Sequence, residues 1–202
     1  MFKLIKKFWR WFRTPSRIAV GTLLTLAFIA GIVFWGGFNT ALEYTNTEEF
    51  CSDCHMNDVV PEYRMSVHYN NRSGVKADCA DCHLPHDFVG KWTRKIVASR
   101  EVYAHIMGHV DTKEKFEAAR LEMAQREWAR MKANDSAECR YCHNFNDMDY
   151  TQQKTVAEKM HRLAQEEGKT CIDCHKGIAH QLPNMHGVKS GFTQSESKDE
   201  KK

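Results

Sequence analysis

The amino-acid sequence predicts a mainly α-helical chain with much irregular structure, and three observations support this prediction. A long uncharged stretch lies close to the N-terminus. All eight cysteines fall in four copies of one five-residue motif, C-x-x-C-H. No strand pattern stands out. With 202 residues, 42% of them apolar, the chain has room for one domain and an anchor.

The uncharged stretch covers residues 18–38 and reads IAVGTLLTLAFIAGIVFWGGF. At about 1.5 Å per helical residue, it is long enough to cross the roughly 30 Å hydrocarbon core of a bilayer. A cleaved signal peptide is the alternative, but its apolar region is usually shorter, and no clear A-x-A cleavage site follows this stretch. The sequence therefore predicts an uncleaved single-pass transmembrane helix.

The charges on the two sides of this stretch predict its orientation. Residues 1–17 form a basic arm with six lysines and arginines and no acid, whereas Glu43, Glu48 and Glu49 follow the span. Because cytoplasmic flanks carry the excess of positive charge, the N-terminus is expected in the cytoplasm. The whole chain carries +3, which leaves −3 for the part after the arm. We therefore expect the arm to contact the lipid bilayer, and nothing here predicts nucleic-acid binding.

The cysteine motifs are CSDCH (51–55), CADCH (79–83), CRYCH (139–143) and CIDCH (171–175). A zinc site would not need a histidine directly after each cysteine pair, and a thioredoxin-like site would occur once, on a βαβ background. Covalent haem requires this spacing, because two thioethers hold the porphyrin edge and the histidine binds the iron. We therefore predict four covalently bound haem c groups. Their thioether residues are Cys51, Cys54, Cys79, Cys82, Cys139, Cys142, Cys171 and Cys174, and their proximal ligands are His55, His83, His143 and His175.

Residues 43–187 are accordingly expected to form a small multihaem cytochrome c domain. It would lie in the periplasm, outside the bacterial inner membrane, where haem c is attached. Two helices are predicted in this domain, one over residues 111–135 with Asp111 as its cap and one over residues 151–169 that ends near Gly168. The polar tail, residues 190–202, is predicted to be disordered.

Seven histidines lie outside the motifs: His68, His86, His105, His109, His161, His180 and His186. A haem that transfers electrons favours a second strong axial ligand, which histidine can supply. His180 follows His175 by five residues, and these reach only about 17 Å when fully extended. That is too short to pass around the same haem, so His180 is expected to bind a neighbouring one.

The anchor, the four motifs and several further segments together resemble the NapC/NirT family. These are membrane-anchored tetrahaem cytochromes c that act as quinol dehydrogenases. The segments are SVHYNNRSGV, CHLPHDF, CRYCHNF, KMH and CIDCHKGIAHQLP, and the resemblance covers nearly the whole chain. It implies distal ligands with the following assignment: His180 for the haem of His143, His68 for that of His175, and His161 for that of His83.

The first haem differs in what the resemblance implies. Some relatives use a methionine two residues after the motif histidine as the sole axial ligand, whereas here Met56 follows directly and Asn57 stands at the second position. Met56 is therefore a candidate ligand and His55 is the default. His86, in LPH, is a further ligand that the resemblance suggests, near the first haem. In either case this haem is expected to lack a strong sixth ligand.

The resemblance also implies a site for menaquinol or ubiquinol beside the first haem. Cys51 lies only 13 residues after the apolar stretch, so this haem must stay near the membrane. The segment GKWTRKIVASREVY contains Lys91, Lys95 and Glu101. The resemblance implies that a lysine and an acid from this segment lie beside the first haem, where they would bind quinol and accept its proton. The alternative for this segment is a solvated basic helix.

The predicted function is that of a cytochrome that takes electrons from the membrane quinol pool. It would pass them to a periplasmic reductase of the nitrate or nitrite type, or to the cytochrome subunit of such a reductase. A terminal reductase that acts on a small oxyanion at the open first haem is the main alternative, but no separate substrate motif supports it. A haem-based sensor is a third class, for which no signalling domain is apparent.

Overall fold

The computed structural model describes residues 2–12, 14–15, 17–55 and 59–186. The chain forms two compact units, Met1–Thr45 and Asn46–Lys202. No β-strand occurs among the described residues, and the regular structure is helical. The predicted fold class, mainly α with one N-terminal apolar helix, is therefore confirmed.

The first unit contains two helices, α1 (Phe2–Phe12) and α2 (Val20–Tyr44). By length and composition α2 can cross a membrane, since an 18-residue stretch of it has a mean hydropathy of 1.9 and none of that stretch is buried. It continues beyond the uncharged stretch to Tyr44, and two polar side chains there bond the preceding turn. Asn39 Nδ2 donates to the Trp35 carbonyl at 2.7 Å, and Thr40 Oγ1 donates to the Gly36 carbonyl at 2.9 Å.

Helix α1 lies within the basic arm and was not predicted. Lys3, Lys6, Lys7 and Arg10 share one face at helical spacing, and apolar side chains alternate with them on the other side. Four of these apolar side chains are exposed, namely Leu4, Ile5, Phe8 and Trp9. Such a basic amphipathic helix is typical of segments that lie on an anionic lipid surface.

The second unit holds two long helices, α6 (Phe88–Ile106) and α7 (Lys113–Ala133). The shorter helices are α3 (Glu48–His55), α4 (Val59–Arg64), α5 (Cys79–His83), α8 (Ala137–Arg140), α9 (Thr155–Glu166) and α10 (Cys171–Cys174), with 3-10 turns at Phe145–Asp147 and Tyr150–Gln152. The apolar side chains buried among the described residues are few: Val60, Tyr63, Phe116, Met131, Ala164 and Ile172. The polypeptide therefore supplies only a small apolar core of its own.

The two predicted helices are α7 and α9, and one detail of the prediction is wrong. Thr112, rather than Asp111, caps α7, because its Oγ1 accepts from the Lys115 N–H at 3.4 Å. Asp111 instead accepts from Lys115 Nζ at 2.7 Å. Helix α9 ends at Glu166, and Gly168 follows with φ of 63°, a left-handed conformation that glycine adopts without strain. The predicted disordered tail lies outside the described residues.

Candidate haem and quinol sites

Each motif starts in a short helix, and in the second motif helical geometry gathers the three functional side chains. Residues at positions i, i+3 and i+4 share a helix face, so both cysteines and the histidine of CADCH point to the same side of α5. An aspartate inside the motif supports this turn, since Asp81 accepts from the Asp78 N–H at 2.7 Å. Asp173 accepts in the same way from the Thr170 N–H, at 3.0 Å.

The cysteines bring the four motifs together in chain order. Cys51 and Cys79 share a hydrogen bond between the first and second motifs, and Cys139 and Cys171 share one between the third and fourth. Cys82 of the second motif lies within electrostatic range of Cys142 of the third. No disulfide involves any of the seven cysteines with described side chains, all but Cys54. The array therefore runs from the first motif to the fourth without a gap.

Three histidine pairs face one another across this array. The ring centres are 6.1 Å apart for His83 and His180, 6.2 Å for His68 and His143, and 5.8 Å for His161 and His175. Metal–imidazole bonds are about 2 Å long, so two imidazoles on one metal have ring centres about 6 Å apart. All three spacings match this requirement. The Nε2 atoms of His161 and His175 are 3.5 Å apart, within about 0.5 Å of the separation that two such bonds need.

These pairs correct the assignment that the resemblance implied. His180 faces His83 and not His143, His68 faces His143 and not His175, and His161 faces His175 and not His83. The reason is the fold of the chain, since α9 directly precedes the fourth motif and holds His161 next to it. The expectation that His180 cannot serve the haem of His175 is consistent with this arrangement.

The environment of the paired rings suits neutral ligands. Burial, with the nearby positive charge of His83 as a lesser cause, lowers the pKa of His180 to about 4. The Nδ1 atom of His68 is buried and has no hydrogen-bond partner among the described residues. The paired histidines thus fit axial ligation of haem iron.

The structure describes the first motif only in part. Cys51 and the backbone through His55 are described, whereas the side chains of Cys54 and His55, and all of Met56, lie outside the described residues. The His86 ring stacks on Tyr141 of the third motif, with centroids 3.7 Å apart and an angle of 5° between the planes. The ligand set of the first haem therefore stays a prediction.

The predicted quinol residues Lys91, Lys95 and Glu101 all lie on α6. Lys95 lies near Cys51, and its charge adds to the larger effect of the Cys79 hydrogen bond in lowering the pKa of Cys51 to about 7. Glu101 instead pairs with Arg94, whose Nη1 is 3.6 Å from Glu101 Oε1. Lys91 lies one turn before Lys95, and its side chain is partly exposed.

The sequence did not single out two further residues, Arg94 of α6 and Glu127 of α7. Arg94 Nη2 donates to Glu127 Oε2 at 3.3 Å, and Glu127 Oε1 lies 3.1 Å from His83 Nδ1. Arg94 is only 15% exposed, and its Nε is buried with no hydrogen-bond partner in the described part of the chain. A signal for Arg94 was present, because it precedes Glu101 by seven residues and so shares its helix face. The sequence carried no comparable signal for Glu127.

Comparison with known proteins identifies the family. The model of the NapC/NirT cytochrome c family, N-terminal region, matches residues 13–185. This chain belongs to that family. The cytochrome c-type protein NapC of Haemophilus influenzae is 62% identical over 198 residues, covering 98% of this chain and 96% of that protein. The Escherichia coli K12 NapC is 63% identical over 191 residues, covering 94% and 96%. The denitrification system component NirT of Stutzerimonas stutzeri is 56% identical over 173 residues, covering 85% and 86%.

Membership of the NapC/NirT family confirms the kind of cofactor that the motifs predict. A c-type cytochrome carries covalently bound haem, and C-x-x-C-H is the sequence that attaches it. The resemblance noted from the sequence segments is confirmed at the same time.

Proposed function

We propose that this member of the NapC/NirT family is a single-pass inner-membrane cytochrome with four haem c groups that oxidises membrane quinol. It would deliver the electrons to a periplasmic reductase, or its cytochrome subunit, in nitrate or nitrite respiration. The observation that supports this most directly is the set of three histidine pairs with ring centres 5.8–6.2 Å apart. Paired imidazoles make an iron six-coordinate, which suits transfer of electrons rather than binding of a substrate.

The chain's own residues would hold the cofactors in a row. When bound, four haems would supply one-electron carriers from the membrane side to the periplasmic acceptor. The motif cysteines would hold each porphyrin edge, and the hydrogen bonds between Cys51 and Cys79 and between Cys139 and Cys171 mark where neighbouring edges would approach. His68, His161 and His180 would supply the second axial ligands to the third, fourth and second haems.

The quinol site would lie on α6. Lys95 beside Cys51 would face the first haem, as the family resemblance implies. Glu101 is half exposed and could accept a quinol proton at a carboxylate oxygen, while Arg94, whose Nη1 is 3.6 Å away, would hold that carboxylate in position. The buried Nε of Arg94, which has no partner among the described residues, could donate to a quinol oxygen.

The relatives' names support the class of acceptor. One relative is described as a component of a denitrification system and others as NapC. By this similarity the acceptor would be a reductase of nitrogen oxyanions. The acidic balance of residues 18–202, which carry −3 before any haem propionates, would favour a partner surface with basic residues.

The decisive experiment compares two electron donors. In the full-length, detergent-solubilised protein, Glu101→Gln should reduce quinol-dependent turnover by about 10²-fold, a typical general acid–base contribution. Electron transfer from a small artificial donor to the same acceptor should be retained. Glu122→Gln is the matched control, because Glu122 is an exposed acid on α7 that pairs only with Arg126 among the contacts described.

Two results would contradict the proposal. Equal loss with both donors would mean that Glu101 holds the domain together and does not handle quinol protons. Independently, intact mass and haem staining should give four covalent haems, and Cys171→Ala should remove or loosen one of them. A count of two or fewer would exclude the tetrahaem assignment.

A further inference from the structure

The motif histidine His83 has a charged side chain behind its ring. The His83 Nδ1 atom is 3.1 Å from Oε1 of Glu127, and the Glu127 side chain is only 18% exposed. In the pair at the fourth motif, the spare histidine has a neutral group behind it, since His161 Nδ1 lies 2.7 Å from the side-chain oxygen of Gln153. The motif histidine His83 and the spare histidine His161 therefore have a charged and a neutral acceptor behind their rings.

Two arginines fix the Glu127 carboxylate behind His83. Arg130 donates to Oε1 through Nε at 3.0 Å and through Nη2 at 2.8 Å. Arg94 donates to Oε2 at 3.3 Å. Arg130 also donates to the Cys82 carbonyl, inside the second motif, at 3.3 Å, so the cluster is attached to the haem-binding turn itself.

The charges around Glu127 determine the direction of the hydrogen bond. Both of its oxygens accept from guanidinium groups, Oε1 from Arg130 and Oε2 from Arg94, so the two cations hold this side chain as a carboxylate. An ionised carboxylate only accepts, hence His83 Nδ1 must carry the hydrogen. The other nitrogen, Nε2, is then the one left to bind iron, and the ring faces His180 with centroids 6.1 Å apart.

We propose that Glu127 is a positioning residue that selects the reduction potential of the haem held by His83. A carboxylate that accepts Nδ1–H makes a histidine a more basic metal ligand. A more basic ligand stabilises ferric over ferrous iron, so the second haem has a lower potential than it would with a neutral acceptor. The inference rests on the proposed haem at His83. Reduction adds one electron to that iron and moves no proton, because Nδ1 keeps its hydrogen.

The same arginine connects this carboxylate to the candidate proton acceptor. Arg94 contacts Glu127 with one terminal nitrogen and Glu101 with the other. Glu127 is therefore held by Arg130 on its own helix and by Arg94 on α6, so both helices fix its position behind His83.

A redox titration of the full-length protein in detergent tests the proposal, with dithionite as the one-electron reductant and haem absorbance as the readout. Glu127→Gln keeps the size of the side chain and removes its charge. It should raise one of the four midpoint potentials by about 59 mV, a tenfold change in that haem's reduction equilibrium, and leave the other three close to their original values. Glu127→Asp keeps the charge but withdraws it by one methylene, so it should give a smaller rise of the same potential.

The converse variant uses the fourth motif. Gln153→Glu places a carboxylate behind His161 and should lower a different potential, whereas Glu122→Gln, an exposed acid on the same helix as Glu127, should change none. Haem count by intact mass and low-spin signals in the magnetic spectra are recorded on the same samples. If Glu127→Gln retains four haems with their low-spin signals, and all four midpoint potentials are unchanged, the inference is wrong and the proposed function is unaffected.

Two further outcomes would also overturn it. An equal shift of all four potentials would indicate a general charge effect instead of a hydrogen bond to one ligand. Loss of a haem in both Glu127→Gln and Glu127→Asp, with no effect of Gln153→Glu on any potential, would show that Glu127 only supports the fold. A haem count of two or fewer in the unmodified protein would instead contradict the proposed function.

Discussion

Helices α6 and α7 are of similar length and lie in the same unit, yet they use their side chains in opposite ways. Helix α7 buries Phe116, Arg120 and Met131, whereas α6 has no buried residue. Large apolar side chains of α6 are exposed instead, among them Val89 at 71% and Ile106 at 75%. Helix α7 therefore acts as the internal scaffold, and α6 presents a surface.

The contacts of α7 show how this scaffold is built. Charged residues along it reach separate parts of the unit: Arg120 pairs with Glu62 of α4, Glu127 with the second motif, and Lys132 with Asp173 of the fourth. Because few apolar side chains are buried in this unit, ion pairs rather than apolar packing fix the positions of the motifs relative to one another. The difference between the helices teaches that the haem-binding turns are positioned mainly by polar contacts from α7.

The largest effect is expected for Arg120→Ala. Arg120 donates to both oxygens of Glu62 and to the Gln181 carbonyl at 2.7 Å, next to His180. Its removal leaves the Glu62 charge buried without its partner, which should cost about 3–5 kcal/mol of unfolding free energy. Urea unfolding of the detergent-solubilised protein measures this. Arg126→Ala, an exposed i,i+4 pair on the same helix, should change it by no more than about 0.5 kcal/mol.

The pH dependence of the same pair gives a smaller effect. Burial would raise the pKa of Glu62, but hydrogen bonds from Arg120 and from the Gln181 N–H outweigh it and lower the pKa below its ordinary value of 4.5. A lowered folded pKa means that the stabilisation is present above that ordinary value and is lost as the pH falls through the folded value. The advantage of the unmodified protein over Glu62→Gln should therefore shrink as the pH falls below 4.5. A constant difference across that range would show that Glu62 is not ionised in the fold.

A third prediction concerns the turn that follows α7. Ser136 is fully buried, with φ of 51°, and its Oγ accepts from the Ile172 N–H of α10 at 3.1 Å. Ser136→Ala leaves that buried N–H unsatisfied and should cost about 1–3 kcal/mol in the same unfolding assay. Ser99→Ala on α6 is the matched control, because the Ser99 hydroxyl is exposed and, among the described residues, bonds only the Ile96 carbonyl of its own helix. Equal effects of the two changes would contradict the assignment of scaffold and surface.

The smallest effect is expected on the outer face of α6. Ile106→Ala should change the free energy of unfolding by no more than about 0.5 kcal/mol, because this side chain is 75% exposed. Met131→Ala on α7 should cost about 2–5 kcal/mol, since Met131 is 8% exposed and its removal opens a cavity. A large loss for Ile106→Ala would mean that the exposed face of α6 is packed against another part of the holoprotein.

Local features of this chain were predictable because each depends on only a few consecutive residues. The uncharged stretch contains most of α2, the spacing of C-x-x-C-H fixes the haem attachment chemistry, and the apolar periodicity predicts α7 and α9. The exact start of α7 was less predictable, because Asp111 and Thr112 are both residue types that can cap a helix, and only the structure shows that Thr112 is the cap.

By itself the sequence determined the helical class, the apolar anchor helix, the haem c chemistry and the supply of spare histidines. Only the tertiary structure decided which spare histidine faces which motif, because each pair joins segments whose approach depends on the packing of the helices between them. His180 meets His83 across almost a hundred residues, and Arg94 meets Glu127 across two helices. No spacing rule along the chain encodes such contacts, since they arise only when α6 and α7 are folded against the haem-binding turns.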